Sequence, residues 1–296
     1  MRNERIGMAQ GAGGDMLFAA PWSALEHFLL LAICLATLFF TLVTPPFQAP
    51  DENQHYMKAL LLSEGGVLTT QQGEAIGAAL PRAAIDLHAV YFPTDVPITL
   101  RKFETAKLAN SWNADASRPG TVFAEFPNVA SYAPTLYAPG AAGLLIGDAL
   151  GLPQLGRFYA GRIVNALVAL ALLIAALRLL PFGRMAMLGT ALLPTFAYQI
   201  GSMSPDAVIN GMGFLGLALA LRVGFMDRGS AGLVLAAPLL ALAKGVYLPL
   251  MAAGLRWPQY RRDMRMWLVL GAMALGAAAF IGWMKYSGGS QALYHI

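Results

Sequence analysis

The sequence predicts an all-α, polytopic integral membrane protein of about seven membrane-inserted helices, with a long first extracytoplasmic loop carrying interfacial helices. Three observations predict it. Hydrophobic residues make up 57% of the chain and charged residues only 12%, where a soluble domain carries about 25% charged residues. Mean hydropathy is +0.56. The charges are also unevenly placed: none falls between Glu26 and Asp51, between Arg184 and Asp206, or between Arg265 and Lys285. Such windows approach the roughly twenty residues that cross a hydrocarbon core as helix. A transmembrane barrel would show alternating strands of about ten residues, and that alternation is not present.

In chain order, residues 1–24 are a cytoplasmic N-terminal segment bearing Arg2 and Arg5. The run 25–44 is the first span. It is long and carries no small-residue cleavage pattern before Pro45-Pro46, so it reads as uncleaved. Residues 45–158 form the large extracytoplasmic loop. Its 45–130 portion holds six Lys/Arg and nine Asp/Glu, and a loop of such length is usually functional. Within it, 133–150 is expected to lie at the membrane interface, a boundary that suits Tyr132 and Tyr137. Residues 159–284 form the transmembrane bundle, with spans at 159–180, 184–202, 207–226 and 266–284.

The segment 231–255 belongs to that bundle but contains Lys244, Gly245, Pro238 and Pro249. As one straight helix it would bury a charge near mid-membrane, at a cost of roughly 2.5–3.5 kcal/mol. It reads instead as a broken hairpin turning at Lys244-Gly245 toward a polar cavity. Positive-inside counting agrees. Arg2, Arg5, Arg178, Arg184, Arg222, Arg228, Arg256, Arg261, Arg262 and Arg265 then share the cytoplasmic side. The outer connections keep Lys244, with Lys285 and the loop-end Arg157 and Arg162 nearby. Residues 285–296 become an extracytoplasmic tail, read as truncated. Asp51, Asp206 and Lys244 fall on one face of the membrane.

Several chemistries are excluded. Cys34 is the sole cysteine, so no internal disulfide forms. The net charge of +4 is spread over short loops, which gives nucleic-acid binding no support. No zinc spacing, Walker loop, nucleophile elbow or CxxC occurs. Gly211 to Gly216 matches G-x-G-x-x-G but lies inside a span, where small residues serve helix packing, as Gly143, Gly147 and Gly151 do. His27 and His295 look incidental, and His88 receives no role.

The informative stretch is Pro50-Asp51-Glu52-Asn53-Gln54-His55, just past the first span. As the start of a helix, proline and acidic residues suit its first turn, and Asp51 and His55 are four apart on one face. Tyr56, Met57, Leu60 and Leu61 form an apolar side expected to rest on the membrane surface. The cluster is either a capped interfacial helix, the cap contributing roughly 0.5–2 kcal/mol, or a site. As a site, its carboxylates and imidazole can hold a divalent cation or act as general base. Ser204-Pro205-Asp206 is an ordinary helix start that also puts a carboxylate at the lip of a span, on the side of Asp51. Lys244, within 25 otherwise uncharged residues, is a functional candidate by default, with phosphate its natural partner or snorkelling its alternative.

These residues carry a resemblance. Pro45-Pro46-Phe47-Gln48-Ala49-Pro50-Asp51-Glu52-Asn53-Gln54-His55-Tyr56 resembles the opening of the bacterial membrane proteins grouped as domain of unknown function 2142. So do Pro127 to Pro134, Gly161-Arg162-Ile163-Val164-Asn165, Ser202 to Asp206 and Ala243-Lys244-Gly245-Val246-Tyr247, in consistent order. Asn53-Gln54 stands where the family more often has a small pair. That family in turn resembles the GT-C class of membrane glycosyltransferases, with an acidic pair after the first span, a second outer acidic residue and a polyprenyl-phosphate sugar donor.

The resemblance implies Asp51 and Glu52 as the catalytic pair, which would also be the ligands of a divalent cation such as Mg or Mn. It implies His55 and Asp206 as supporting residues and Lys244 as the group on the carrier phosphate. The function it implies is transfer of a sugar from a polyprenyl-phosphate donor to a cell-envelope glycan or glycolipid. The membrane would be the bacterial plasma membrane and the N-terminus cytoplasmic. The alternative is a non-catalytic component, or a transporter, of envelope polysaccharide assembly. A transporter should show internal repeats, and none is evident.

Overall fold

The computed structural model describes residues 21–92, 104–112, 119–226, 230–255 and 264–288. Arg2, Arg5, Arg228, Arg256, Arg261, Arg262 and His295, and with them most of the tail 285–296, lie outside the described residues. Among the described residues four helices are long and apolar enough to cross a membrane: α1 (Ala24–Val43), α6 (Gln154–Leu179), α9 (Pro205–Met226) and α11 (Met264–Tyr286).

Local chemistry explains their ends. Ser23 and Glu26 form a reciprocal capping box at the start of α1, Ser23 Oγ accepting the Glu26 N–H at 3.2 Å and Glu26 Oε2 accepting the Ser23 N–H at 2.7 Å. The helix stops at Thr44, which is extended because Pro45 follows. Leu180, before Pro181, ends α6 in the same way. α6 starts at Gln154, several residues earlier than 159, because polar Gln154 and Arg157 are carried on its first turn outside the apolar stretch.

The stretch 184–202 differs from the single span expected. It is two short helices, α7 (Arg184–Ala191) and α8 (Pro194–Ile200). Pro194 supplies no N–H and pushes Leu193 to an extended conformation, so the helix restarts there. Both halves run along α1. Arg184 lies 3.5 Å from Glu26 at one end, and a Cβ on Gly201 would collide with the Phe40–Thr41 backbone at the other.

Residues 230–255 also break, into α10 (Ser230–Ala243) and a 3-10 segment (Gly245–Gly254), with Lys244 extended between them. The two arms return along α9. Gly232 faces Leu219, Gly216 faces both Leu240 and Met251, and Gly254 meets the backbone at Ala220 and Gly224. The tip carrying Lys244 therefore reaches the Asp206 end of α9, where α11 also finishes. Phe280 of α11 lies against Gly245, and Trp283 Nε1 donates to the Ser131 carbonyl at 2.7 Å.

At that end sits the folded 45–153 region. Its α2 (Glu52–Ser63) and α3 (Arg82–Tyr91) pack on a three-stranded antiparallel sheet, while α4 (Thr105–Trp112) and α5 (Ala138–Ala149) lie against α6, so the protein is mostly helical and not all-α. β1 (Thr70–Gln72) and β2 (Ala75–Pro81) join through a turn at Gly73, whose φ is +62°, and Gly77 of β2 pairs with Glu125 of β3 (Thr121–Glu125). Strand β2 reads AIGAALP, too poor in β-branched residues to announce itself; the pairing partner supplies what propensity does not.

Tyr56, Met57, Leu60 and Leu61 of α2 do not rest on a membrane surface. They are buried in a core with Leu80, Phe126 and, from α6, Phe158. Lys58 of the same helix is buried too, donating to the carbonyls of Val67 at 3.3 Å and Ala130 at 3.2 Å, and burial lowers its pKa to about 8. α5 packs on α6 through Gly143, where a Cβ would strike the Ala160 carbonyl, while Leu145, Ile146 and Leu150 face outward.

Candidate functional site

The site is organised from α6. Arg162 and Asn165 are three apart on this apolar helix and so share a face. Arg162 is 0% exposed, not a loop-end charge. Its Nε donates to Glu52 Oε1 at 2.7 Å and its Nη2 to Glu52 Oε2 at 2.5 Å, a bidentate pair. The remaining donors go to the carbonyls of Thr41, Thr44 and Pro45 at the end of α1. Glu52 Oε1 also accepts the Met203 N–H at 2.8 Å. Asn165 Nδ2 donates to the carbonyls of Ser202 and Ser204 at 3.0 and 2.9 Å. One helix face thereby fixes the end of α1, the start of α2 and the turn leading into α9.

Asp51 stands immediately before α2 in the left-handed region, with φ 54° and ψ 9°. Its carbonyl accepts the His55 N–H at 3.0 Å, but its side chain makes no capping bond and is exposed. The capped-helix account of this carboxylate therefore fails. A second non-glycine residue, Phe47, also has positive φ, 60°. Such conformations cost free energy and persist only where the surroundings enforce them. Here the Phe47 ring is enclosed by Tyr56, His88, Tyr91 and Phe158, the last at 4.7 Å, and Glu52 is clamped on the other side.

Asp206 lies in the first turn of α9, where the helix dipole favours a carboxylate, and Ser204 Oγ accepts its N–H at 3.1 Å. Its Oδ1 is 2.9 Å from Lys244 Nζ at the hairpin tip, the two side chains being 34% and 35% exposed. His55 is buried beside them. Its Nδ1 is 3.0 Å from the Tyr137 hydroxyl, and its ring stacks on Tyr132 with centroids 6.3 Å apart. Burial lowers the His55 pKa to about 4, while Asp206 and Asp51 pull it upward and Lys244 lowers it further. The imidazole is thus neutral at pH 7, and all four sequence-predicted partners are near enough for their charges to be felt at it.

A cleft of about 270 Å³ opens between the Ala49-Pro50 turn, which leads into Asp51, and α8. Ala49 and Pro50 form one wall, Thr195, Tyr198 and Gln199 the other, and Ser202, Ser204 and Asp206 line its remaining side. Glu52 does not line it. With both oxygens on Arg162, Glu52 is a positioning group, which corrects its expected place as catalytic partner or cation ligand. The Asp51-Glu52 pair does not fit a divalent-cation site, since only Asp51 retains unengaged carboxylate oxygens. Among the described residues no group of three or more His, Cys, Asp or Glu side chains converges.

The structure adds Arg162, Asn165 and Tyr137 to the site. The signal for Arg162 was available: an ionisable residue in an apolar helix. Tyr137 had been placed at the lipid boundary; it is instead buried against His55.

No curated protein and no solved structure matches the chain. The predicted membrane protein family DUF2142 matches residues 34–292, a stretch that contains every residue of the site and both broken segments. The chain belongs to the DUF2142 family of predicted membrane proteins.

Proposed function

We propose that the protein is a GT-C-like glycosyltransferase, or the membrane core of one, moving a sugar from a polyprenyl-phosphate donor to a cell-envelope glycan or glycolipid. The observation that carries this reading is the Asp51 carboxylate, exposed in an enforced left-handed conformation directly after Pro50 of the cleft wall, with Asp206 lining the same cleft and paired to Lys244. Asp51 takes the proton of the acceptor hydroxyl as its oxygen bonds to the sugar's anomeric carbon. The bond from that carbon to the carrier phosphate breaks, and its electron pair leaves on the phosphate oxygen. Lys244, turning from Asp206 to the phosphate, stabilises that charge in a partly desolvated site. Glu52 and Arg162 hold the lip, while neutral His55 and Tyr137 support it from beneath.

In this reading the 45–153 region faces the extracytoplasmic side of a bacterial plasma membrane, the N-terminus is cytoplasmic, and residues 25–44 and 159–284 hold the catalytic loop at the surface. The test compares envelope glycans by mass spectrometry in cells lacking the gene and complemented with wild type or Asp51→Asn at equal membrane levels. Wild type should restore a glycan that the mutant does not, with transfer falling by at least about a hundredfold. Restoration by both would end the catalytic reading and leave a non-catalytic assembly component or a transporter.

A further inference from the structure

We propose that the cleft beside Asp51 is a subsite for a single uncharged sugar ring, and that it rejects acidic sugars. That the ring is a transferred glycosyl group rests on the transferase reading; the chemistry of the cleft stands apart from it. At about 270 Å³ the cleft falls below the roughly 300–1,000 Å³ of drug-sized sites, which leaves room for one ring rather than an oligosaccharide.

Its hydrogen-bonding groups are of mixed kind. Gln199 Oε1 accepts from Asn210 at 3.0 Å, and Tyr198 donates to the Gln48 carbonyl at 3.0 Å. The Thr195 hydroxyl, Gln199 Nε2 and Asp206 Oδ2 make no hydrogen bond among the described residues. A hydroxyl that both gives and accepts, an amide donor and a carboxylate acceptor together suit sugar hydroxyls, which do both. They do not suit an anion, which only accepts.

Charge points the same way. Among the described residues no Lys, Arg or His lines the cleft. Lys244 is held by Asp206 Oδ1 from outside it, and Arg162 is consumed by Glu52 and three carbonyls. Asp51 and Asp206 against one Lys244 leave the rim net negative, so a uronic acid would meet repulsion in a partly desolvated setting. The phosphate of any carrier is thereby assigned to the Lys244 side and the neutral ring to the cleft. Leu193, two residues before Thr195, is exposed, as are Leu42 and Val43 on the adjacent α1, so an apolar tail has a surface to follow away from the cleft.

The experiment titrates octyl β-glucoside and octyl β-glucuronide, which differ as CH2OH against carboxylate, into the protein in lipid nanodiscs. Both are kept below their micelle-forming concentrations, and saturation-transfer NMR reads contact with the protein. The glucoside should bind at least about tenfold more tightly. The exposed-face double variant Thr195→Val/Gln199→Met should weaken the glucoside by about fivefold or more, and Asp206→Asn should narrow the gap between the two ligands. Methyl β-glucoside separates the sources: binding of the octyl but not the methyl compound assigns the cleft to a lipid-linked sugar, and equal binding to a free one.

Equal affinity for glucoside and glucuronide, no binding of either, or indifference of glucoside binding to the double variant would overturn the proposal. Binding needs no turnover, so the two ideas fail separately. Selective binding with glycans restored by Asp51→Asn sinks the transferase alone. Unselective binding with Asp51-dependent transfer sinks the subsite alone.

Discussion

The guanidinium of Arg162 has five N–H donors, and Glu52, Thr41, Thr44 and Pro45 together accept five hydrogen bonds from it. A buried pair of this kind costs much to desolvate and more to break. Arg162→Ala leaves Glu52 uncompensated and three carbonyls without a donor, and should destabilise the protein by about 3–5 kcal/mol. Arg162→Lys keeps the charge but loses the fork and should fall between wild type and alanine. Thermal unfolding in detergent, followed by tryptophan fluorescence, ranks the three; a lysine variant as stable as wild type would refute the bidentate argument. The polar cluster at 51–55 was legible in the sequence because charges stand out after a greasy run. The division of labour inside it was not. Glu52 is occupied and Asp51 is exposed because Arg162, 110 positions away, faces one and not the other.

At the scale of elements, the broken segments follow from local rules unevenly applied. Lys244-Gly245 was read as a break because a charge in an apolar run is conspicuous, and the helix stops at Ala243. Pro194 should have carried equal weight: it lies in an uncharged run whose hydropathy masks it, and α8 starts there. The sheet was missed because Ala and Gly in β2 form strand only against β3, which lies across a long connection. α5 is placed by contact rather than by amphipathicity. Gly143→Val would set a Cβ against the Ala160 carbonyl oxygen and 2.6 Å from the Gly161 Cα. The expected cost is about 1–3 kcal/mol, together with displacement of Tyr137 from His55. Gly271→Val, on α11 where a Cβ meets nothing within 4 Å, is the control and should leave the unfolding temperature unchanged.

For the whole molecule, the buried imidazole couples stability to pH. The His55 pKa is about 4 when folded against an ordinary 6.5, so the unfolded chain binds more protons between those values. Stability from this group is fully present above pH 6.5 and is lost as pH falls toward 4, by about 3–4 kcal/mol in all. The unfolding temperature should drop across that window in wild type and much less in His55→Gln, which keeps a polar partner for Tyr137. A flat wild-type profile would show that His55 is not buried neutral.

What the sequence determined by itself was the solvent this protein lives in and the order of its apolar segments, because both depend on how hydrophobicity and charge are distributed along the chain. It also identified Asp51, Asp206 and Lys244 as charges out of place, since each interrupts or borders such a segment. The tertiary structure decided which of those charges remain available. Hydrogen bonding and burial are settled by partners distant in sequence, and a pair such as Glu52 and Arg162 leaves no trace in local pattern. That pairing engages both oxygens of one carboxylate and leaves Asp206, with Lys244 paired to it, on a cleft that no single segment encodes and whose Pro50 wall leads into Asp51.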